Sequence, residues 1–221
     1  MSRDYGTYPV WLRCWHWGNA LLFVAQLVTG LSLHYATPGG PHAGFRAAML
    51  VHNTAGILLT AFYGWFLFGN VRYGNGRFYL LAPGDLTRGL LLQARYYLFG
   101  IFRGDPHPFP HNAERKFNPM QKMSYLVVMG LLFPPLIVSG WALFFPARLP
   151  ASVFGIPGVA ICALAHTYLG FCLSLFMLTH MYLATTGDTV GELFRVMLVG
   201  ASHSHEATQA TPPTAEVRPT S

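Results

Sequence analysis

The stretch His166-Thr-Tyr-Leu-Gly-Phe-Cys-Leu-Ser-Leu-Phe-Met-Leu-Thr-His180 decides how this chain folds. It holds no Asp, Glu, Lys or Arg and lies inside an uncharged run, 149–187. Pro150, Gly155, Pro157 and Gly158 break the start of that run, which leaves one helix from about 159 to 186. A helix that crosses a bilayer needs roughly 20 mostly apolar residues. His166 and His180 are fourteen residues apart. At 3.6 residues per turn they leave one helix face, about 21 Å apart along the axis. One histidine therefore lies toward each side of a bilayer.

Three more uncharged runs precede it, at 14–45, 47–71 and 123–147, each long enough for one spanning helix. Only 10% of the residues are charged and 52% are hydrophobic, against about 25% charged in a soluble domain. The expected fold is an all-α membrane protein. It is a four-transmembrane-helix bundle over residues 1–200, followed by a disordered cytoplasmic tail, 201–221, that is polar and proline-bearing. A soluble protein with buried helices is the alternative, and four uncharged runs argue against it. Residues 1–10 carry Asp4, Tyr5 and Pro9 and lack the pattern of a cleavable signal peptide, so the first helix is expected to stay. Cys14, Cys162 and Cys172 are scattered in apolar segments and form neither a disulfide framework nor a C-x-x-C-H site.

Charge sets the expected orientation. The segment between the second and third runs holds Arg72, Arg77, Arg88, Arg95, Arg103, Arg115, Lys116 and Lys122. Arg3 and Arg13 precede the first helix, and Arg195 and Arg218 follow the last. Only Arg46 and Arg148 fall on the other side. The positive-inside rule then puts both termini and the long loop in the cytoplasm. Topology accounts for the +6 net charge without nucleic acid. Within the loop, Asp85 is expected to cap a helix over 86–102. Its Leu90, Leu91, Leu98 and Phe102 suit an interfacial helix on the membrane surface, with a soluble packing helix as the alternative. Gly74-Asn75-Gly76 and 105–111 read as turns.

Ionisable residues inside a bilayer are costly and point to function. Four histidines lie within or near the spans: His16, His52, His166 and His180. The first helix starts inside, so His16 is near the cytoplasm. The second starts outside, so His52 is near the outer face. Depth then pairs His16 with His180 and His52 with His166, each pair joining two helices. Two axial imidazoles on a porphyrin iron make a low-spin b-type centre suited to electron transfer. Two haem b groups, one per side, need this arrangement. Zinc would need three or four ligands at one depth; hydrogen-bonded core residues or a proton path remain as alternatives. His34 reads as interfacial. Gly18, Gly30, Gly56 and Gly170 suit close approach of a neighbouring helix or of a porphyrin face.

Arg13-Cys-Trp-His16-Trp17, His52 and the His166–His180 spacing make the chain resemble the four-helix di-haem cytochrome b family. This family includes the b-type subunits of nickel–iron hydrogenases, formate dehydrogenases and thiosulfate-reductase-like enzymes. The resemblance covers about residues 9–200. Lys116-Phe-Asn118-Pro-Met-Gln121-Lys122 is similar to a Tyr-Asn-x-x-Gln-Lys segment of the formate dehydrogenase gamma subunit. There the Asn and Gln help form a menaquinone site beside the cytoplasmic haem. The resemblance thus implies a pocket for menaquinone or ubiquinone at Asn118, Gln121 and His180. The alternative is that Asn118 and Gln121 cap the helix entrance. Arg13 and Lys122 are candidates to pair with haem propionates. After Tyr182 the sequence departs from the formate dehydrogenase subunit, which leaves the partner enzyme open.

The resemblance implies a membrane-anchoring electron-transfer subunit in a bacterial cytoplasmic (inner) membrane. Its expected partners are an iron–sulfur subunit, a molybdenum, tungsten or nickel–iron catalytic subunit, quinone and membrane lipid. Its own half-reaction would be quinone oxidoreduction. The rival is a stand-alone cytochrome b561-like oxidoreductase acting on quinone or superoxide. A haem carrier or transporter would need labile haem, which bis-histidine ligation disfavours.

Overall fold

The computed structural model describes residues 8–36, 42–109, 117–187 and 189–200. The tail expected to be disordered lies outside the described residues, as do His111, Arg115 and Lys116. The described residues are helical with no strand, apart from one isolated bridge between Val153 and Ile156. The long helices are α1 (Val10–His34), α2 (His42–Arg72), α4 (Pro119–Phe144) and α5 (Gly158–Ala184). Shorter ones are α3 (85–103), between α2 and α4, and α6 (Glu192–Val199) after α5.

Among the described residues α2, α4 and α5 are long and apolar enough to cross a membrane. The 25 residues of α1 give it the length, but Arg13, His16, Asn19 and Gln26 make it more polar. The long helices expose Leu21, Phe68, Leu131, Val138, Leu164 and Phe171. Such a continuous apolar surface suits acyl chains and would be an aggregation hazard in water.

Local chemistry fixes the helix ends. Asn118 and Gln121 close a reciprocal capping box at the start of α4, with Pro119 at the first helical position. This arrangement satisfies two backbone donors that an opening helix leaves free. Before α5 the chain turns tightly at Phe154 (φ 51°) and Gly155 (φ 80°), and Val153 and Ile156 exchange backbone hydrogen bonds of 2.8 and 3.1 Å. Gly158 then starts α5 against the Pro150 carbonyl; a Cβ there would sit 2.3 Å from that oxygen. The break and the helix after it fall within two residues of the expected positions.

α1 packs along α2 and α4 along α5, as two hairpins. Gly18 admits the Phe62 ring and Gly69 admits Trp11, each where a Cβ would clash. The Trp15 indole donates to the Phe62 carbonyl at 2.8 Å. Leu59, Val128, Phe133 and Leu173 join the hairpins in a central core. Tyr63 adds a polar bond between them. Leu126–Leu132 is π-helical just before Pro134 and Pro135. In that pattern the Met129 carbonyl would pair with the N–H of residue 134, which proline lacks. The Tyr63 hydroxyl donates to the Met129 carbonyl instead, at 2.8 Å.

The helix foreseen at 86–102 exists, but its cap differs from the expectation. Gly84 is the N-cap. Asp85 is 4% exposed, and its carboxylate accepts from the Ala82 N–H and from Lys122 Nζ, each at 2.9 Å. A buried carboxylate is costly without a cation, and Lys122 reaches across from α4 to supply one. α3 buries Gln93 and Tyr96 and exposes Leu91, Leu98 and Phe102.

Candidate cofactor site

Each of the four histidines meets its depth partner. The His16 and His180 ring centroids are 6.0 Å apart, and those of His52 and His166 are 6.3 Å apart. α5 supplies one ring to each pair, while α1 and α2 supply the others, so both pairs bridge the hairpins. Among the described residues no group of three or more His, Cys, Asp or Glu comes together as a metal site. The histidines stand two and two.

The pair expected toward the outer face, His52 and His166, is held by hydroxyls. The Thr29 hydroxyl on α1 donates to the Ala25 carbonyl at 2.6 Å and lies 3.0 Å from His52 Nδ1. The Ser139 hydroxyl on α4 donates to the Leu136 carbonyl at 2.9 Å and lies 2.9 Å from His166 Nδ1. A hydroxyl has one hydrogen. With that hydrogen on a carbonyl, each oxygen accepts from a histidine Nδ1–H. The Nε2 lone pair of both rings is then left for a metal. Gly30 and Gly140 follow the two hydroxyl residues, and a Cβ on either would sit 3.3 or 3.2 Å from the Cε1 of the same histidine. The Gln26 amide donates to the His52 carbonyl at 3.1 Å.

The pair expected toward the inner face, His16 and His180, lies among aromatic rings. Trp17 meets His16 edge to face at 5.2 Å, and Phe176 stacks on His180 at 5.9 Å and 19°. Among the described residues, His16 Nδ1 is buried without a hydrogen-bond partner. Around this end, the Arg13 guanidinium donates to the Leu198 carbonyl near the end of α6, and the Trp17 indole donates to the Met197 carbonyl at 3.2 Å. Arg13 thus sits where a helix C-terminus favours a cation, and its Nε is buried without a partner among the described residues.

These geometries fit haem. Two metal–imidazole bonds of about 2.0 Å, end to end through ring nitrogens, put ring centroids roughly 6.3 Å apart. Both histidine pairs stand at that separation without a hydrogen bond between the rings. Gly170, one turn after His166 on its face of α5, opens on free space, whereas Gly18, Gly30 and Gly56 each face a side chain. Of the four glycines, Gly170 alone suits a porphyrin face and the others serve close packing.

Comparison with known proteins agrees. The prokaryotic cytochrome b561 family matches residues 7–200. The chain belongs to that family. It is also 38% identical over 199 residues to the Escherichia coli (strain K12) protein named "Putative cytochrome YdhU", covering 90% of this chain and 74% of that one. This chain is therefore a bacterial membrane b-type cytochrome, and its family implies haem b and electron transport.

The remaining candidate residues of this b561-family cytochrome are placed differently from the histidines. Asn118 is 1% exposed; its Oδ1 accepts from the Gln121 N–H at 2.8 Å and its Nδ2 donates to the Tyr97 hydroxyl at 3.1 Å. Gln121 Oε1 accepts from the Asn118 N–H at 2.9 Å. Both side chains thus cap α4. Lys122 is engaged by Asp85. One turn further on, a groove of about 410 Å³ runs between α3, α4 and α5, lined by Leu91, Met123, Ser124, Val127 and Phe176 among others. It ends at the ring that stacks on His180. In the segment after α2, burial pushes the Tyr79 phenol up, against a hydrogen bond from Asn75 that pulls it down.

Thr29 and Ser139 were missed by the sequence reading. A signal was present: Val28-Thr29-Gly30 matches Val138-Ser139-Gly140, and His52-x-x-x-Gly56 matches His166-x-x-x-Gly170. The two hairpins repeat one constellation.

Proposed function

We propose that this cytochrome is the membrane-anchoring di-haem subunit of a respiratory oxidoreductase complex in the bacterial cytoplasmic membrane. It passes electrons between an iron–sulfur subunit on the outer side and a quinone near the cytoplasmic side. In this reading α1 joins α2, α4 and α5 as a fourth spanning helix. Both termini and the interfacial helix α3 face the cytoplasm. His52 and His166 hold the outer haem b, and His16 and His180 hold the inner one. Bound between each pair, haem supplies a low-spin one-electron centre without an open coordination position. The observation that carries the proposal is the pair of ring separations, 6.0 and 6.3 Å, on histidines about 21 Å apart along α5.

The quinone part rests on the groove beside Phe176. Its walls suit an isoprenoid tail; a quinone ring would meet Asn118 and Gln121, at the same helix start, only by opening the α4 cap that engages them. The partner's catalytic subunit, of molybdenum, tungsten or nickel–iron type, carries any substrate chemistry, because this chain has no cluster-binding cysteine set. Arg13, beside the inner pair, is the better placed cation for a propionate.

The test is a dithionite-reduced minus oxidised spectrum of the purified chain with haem counted by pyridine haemochrome. Two b haems per chain are expected; none would return the histidines to packing or proton transfer. Val127→Trp, which fills the groove, is expected to slow haem–quinone exchange with both haems retained. The family's description favours one second reading, a stand-alone oxidoreductase acting on quinone or superoxide. Co-purification with an iron–sulfur subunit separates the two.

A further inference from the structure

The geometry points to Thr29 and Ser139 as positioning residues: they hold the outer histidines with Nε2 toward the iron and lower the reduction potential of the outer haem relative to the same site without them. The inference rests on the bis-histidine reading above and goes beyond it to a tuning device at one end of the molecule.

Thr29 Oγ1 spends its hydrogen on the Ala25 carbonyl and Ser139 Oγ spends its own on the Leu136 carbonyl. Each oxygen can then meet a histidine Nδ1, at 3.0 and 2.9 Å, only as an acceptor. A histidine that donates its second N–H to an acceptor is fixed in tautomer and orientation and becomes a more basic ligand. A more basic imidazole stabilises the oxidised, more positive iron over the reduced one. The potential therefore falls. Both outer ligands carry such an acceptor. At the inner pair, His16 Nδ1 is buried with no partner among the described residues, so among them the same donation is missing from at least one ligand.

The hydroxyls do not sit there by chance packing. Each comes from the helix that packs against the histidine's own helix, α1 against α2 and α4 against α5. Each is followed by a glycine whose missing Cβ leaves room for the imidazole edge. Two independent hairpins converge on one device. Ser174 provides the contrast, since its hydroxyl donates to the Gly170 carbonyl of its own helix at 2.8 Å and touches no histidine.

The test is a redox titration of the purified, haem-loaded chain, with low-temperature EPR of the oxidised form. A His16→Ala chain identifies which component is the outer haem. In Thr29→Val and in Ser139→Ala the outer haem is expected to become easier to reduce. Its reduced-to-oxidised ratio at a fixed potential should rise about tenfold, which is about 59 mV for one electron. Its g values should shift, and the inner component should stay put. Thr29→Ser and Ser139→Thr keep the hydroxyl and should keep the parental potential. Loss of the outer haem in Thr29→Val with retention at the parental potential in Thr29→Ser also supports the role. Two haems per chain with unmoved outer potentials in both apolar variants overturn the inference and leave the di-haem reading intact. An equal shift in Ser174→Ala overturns it as well. A chain with no haem overturns the di-haem reading itself.

Discussion

The two ends of the bundle hold their histidines by different means. At the end proposed as outer, Thr29 and Ser139 bind the ring nitrogens of His52 and His166, and Gly30 and Gly140 let the rings approach their supporting helices. At the end proposed as inner, Trp17 and Phe176 hold His16 and His180 by ring contact, and α6 closes over Arg13 and Trp17. The outer end is a hydrogen-bonded frame inside two helix hairpins. The inner end is an aromatic frame finished by elements outside the long helices. One fold can therefore give two chemically similar histidine pairs different surroundings.

The largest expected effect breaks one end at a time. His52→Ala or His166→Ala should lower the haem count from two to one per chain, and both should remove the same spectral component. His16→Ala or His180→Ala should remove the other. If His52→Ala and His180→Ala removed the same component, the pairing by depth would be wrong. Haem counting with EPR of each variant decides.

A smaller effect is expected from the glycines. Gly30→Leu and Gly140→Leu push a side chain into the imidazole, where even a Cβ would be 3.3 or 3.2 Å from Cε1. Haem content at the outer end should fall by more than half, with the inner component unchanged in the reduced spectrum. Equal loss at both ends would mean that the bundle as a whole had come apart.

Phe176→Ala sharpens the comparison from the inner side. It removes the ring stacked on His180, a contact worth about 0.5–1.5 kcal/mol. The inner haem's g values should change and the outer ones should not. Smallest of all, Tyr63→Phe removes a hydroxyl that lies between the ends and touches neither histidine pair. It leaves the Met129 carbonyl without its donor and should lower stability by about 1 kcal/mol. Thermal unfolding should register the loss while both haem spectra stay the same.

Much of this was legible in the chain. Uncharged runs longer than a bilayer is thick fix where helices can span, because a charge within one is costly whatever surrounds it. A fourteen-residue spacing puts two histidines on one helix face through the helical repeat alone. Asn-Pro-x-Gln announces a capped helix start, and the alternative left open for Asn118 and Gln121, that they cap α4, is what their hydrogen bonds show. These features depend on local geometry, so sequence carries them.

Other features depend on which surfaces meet. Asp85 could not be matched with Lys122, 37 residues away, because a carboxylate after a turn looks like a cap until burial demands a cation. Thr29 and Ser139 look like ordinary helix hydroxyls bonded to their own backbone, and only the packing of α1 on α2 and of α4 on α5 aims them at imidazoles. The sequence by itself determined the apolar spans, the cap of α4 and the common face of His166 and His180, since each follows from the chemistry of one helix. The tertiary structure alone decided which hydroxyl meets which histidine, which glycine stays open and which cation finds its acid, because those outcomes are set by the register between helices.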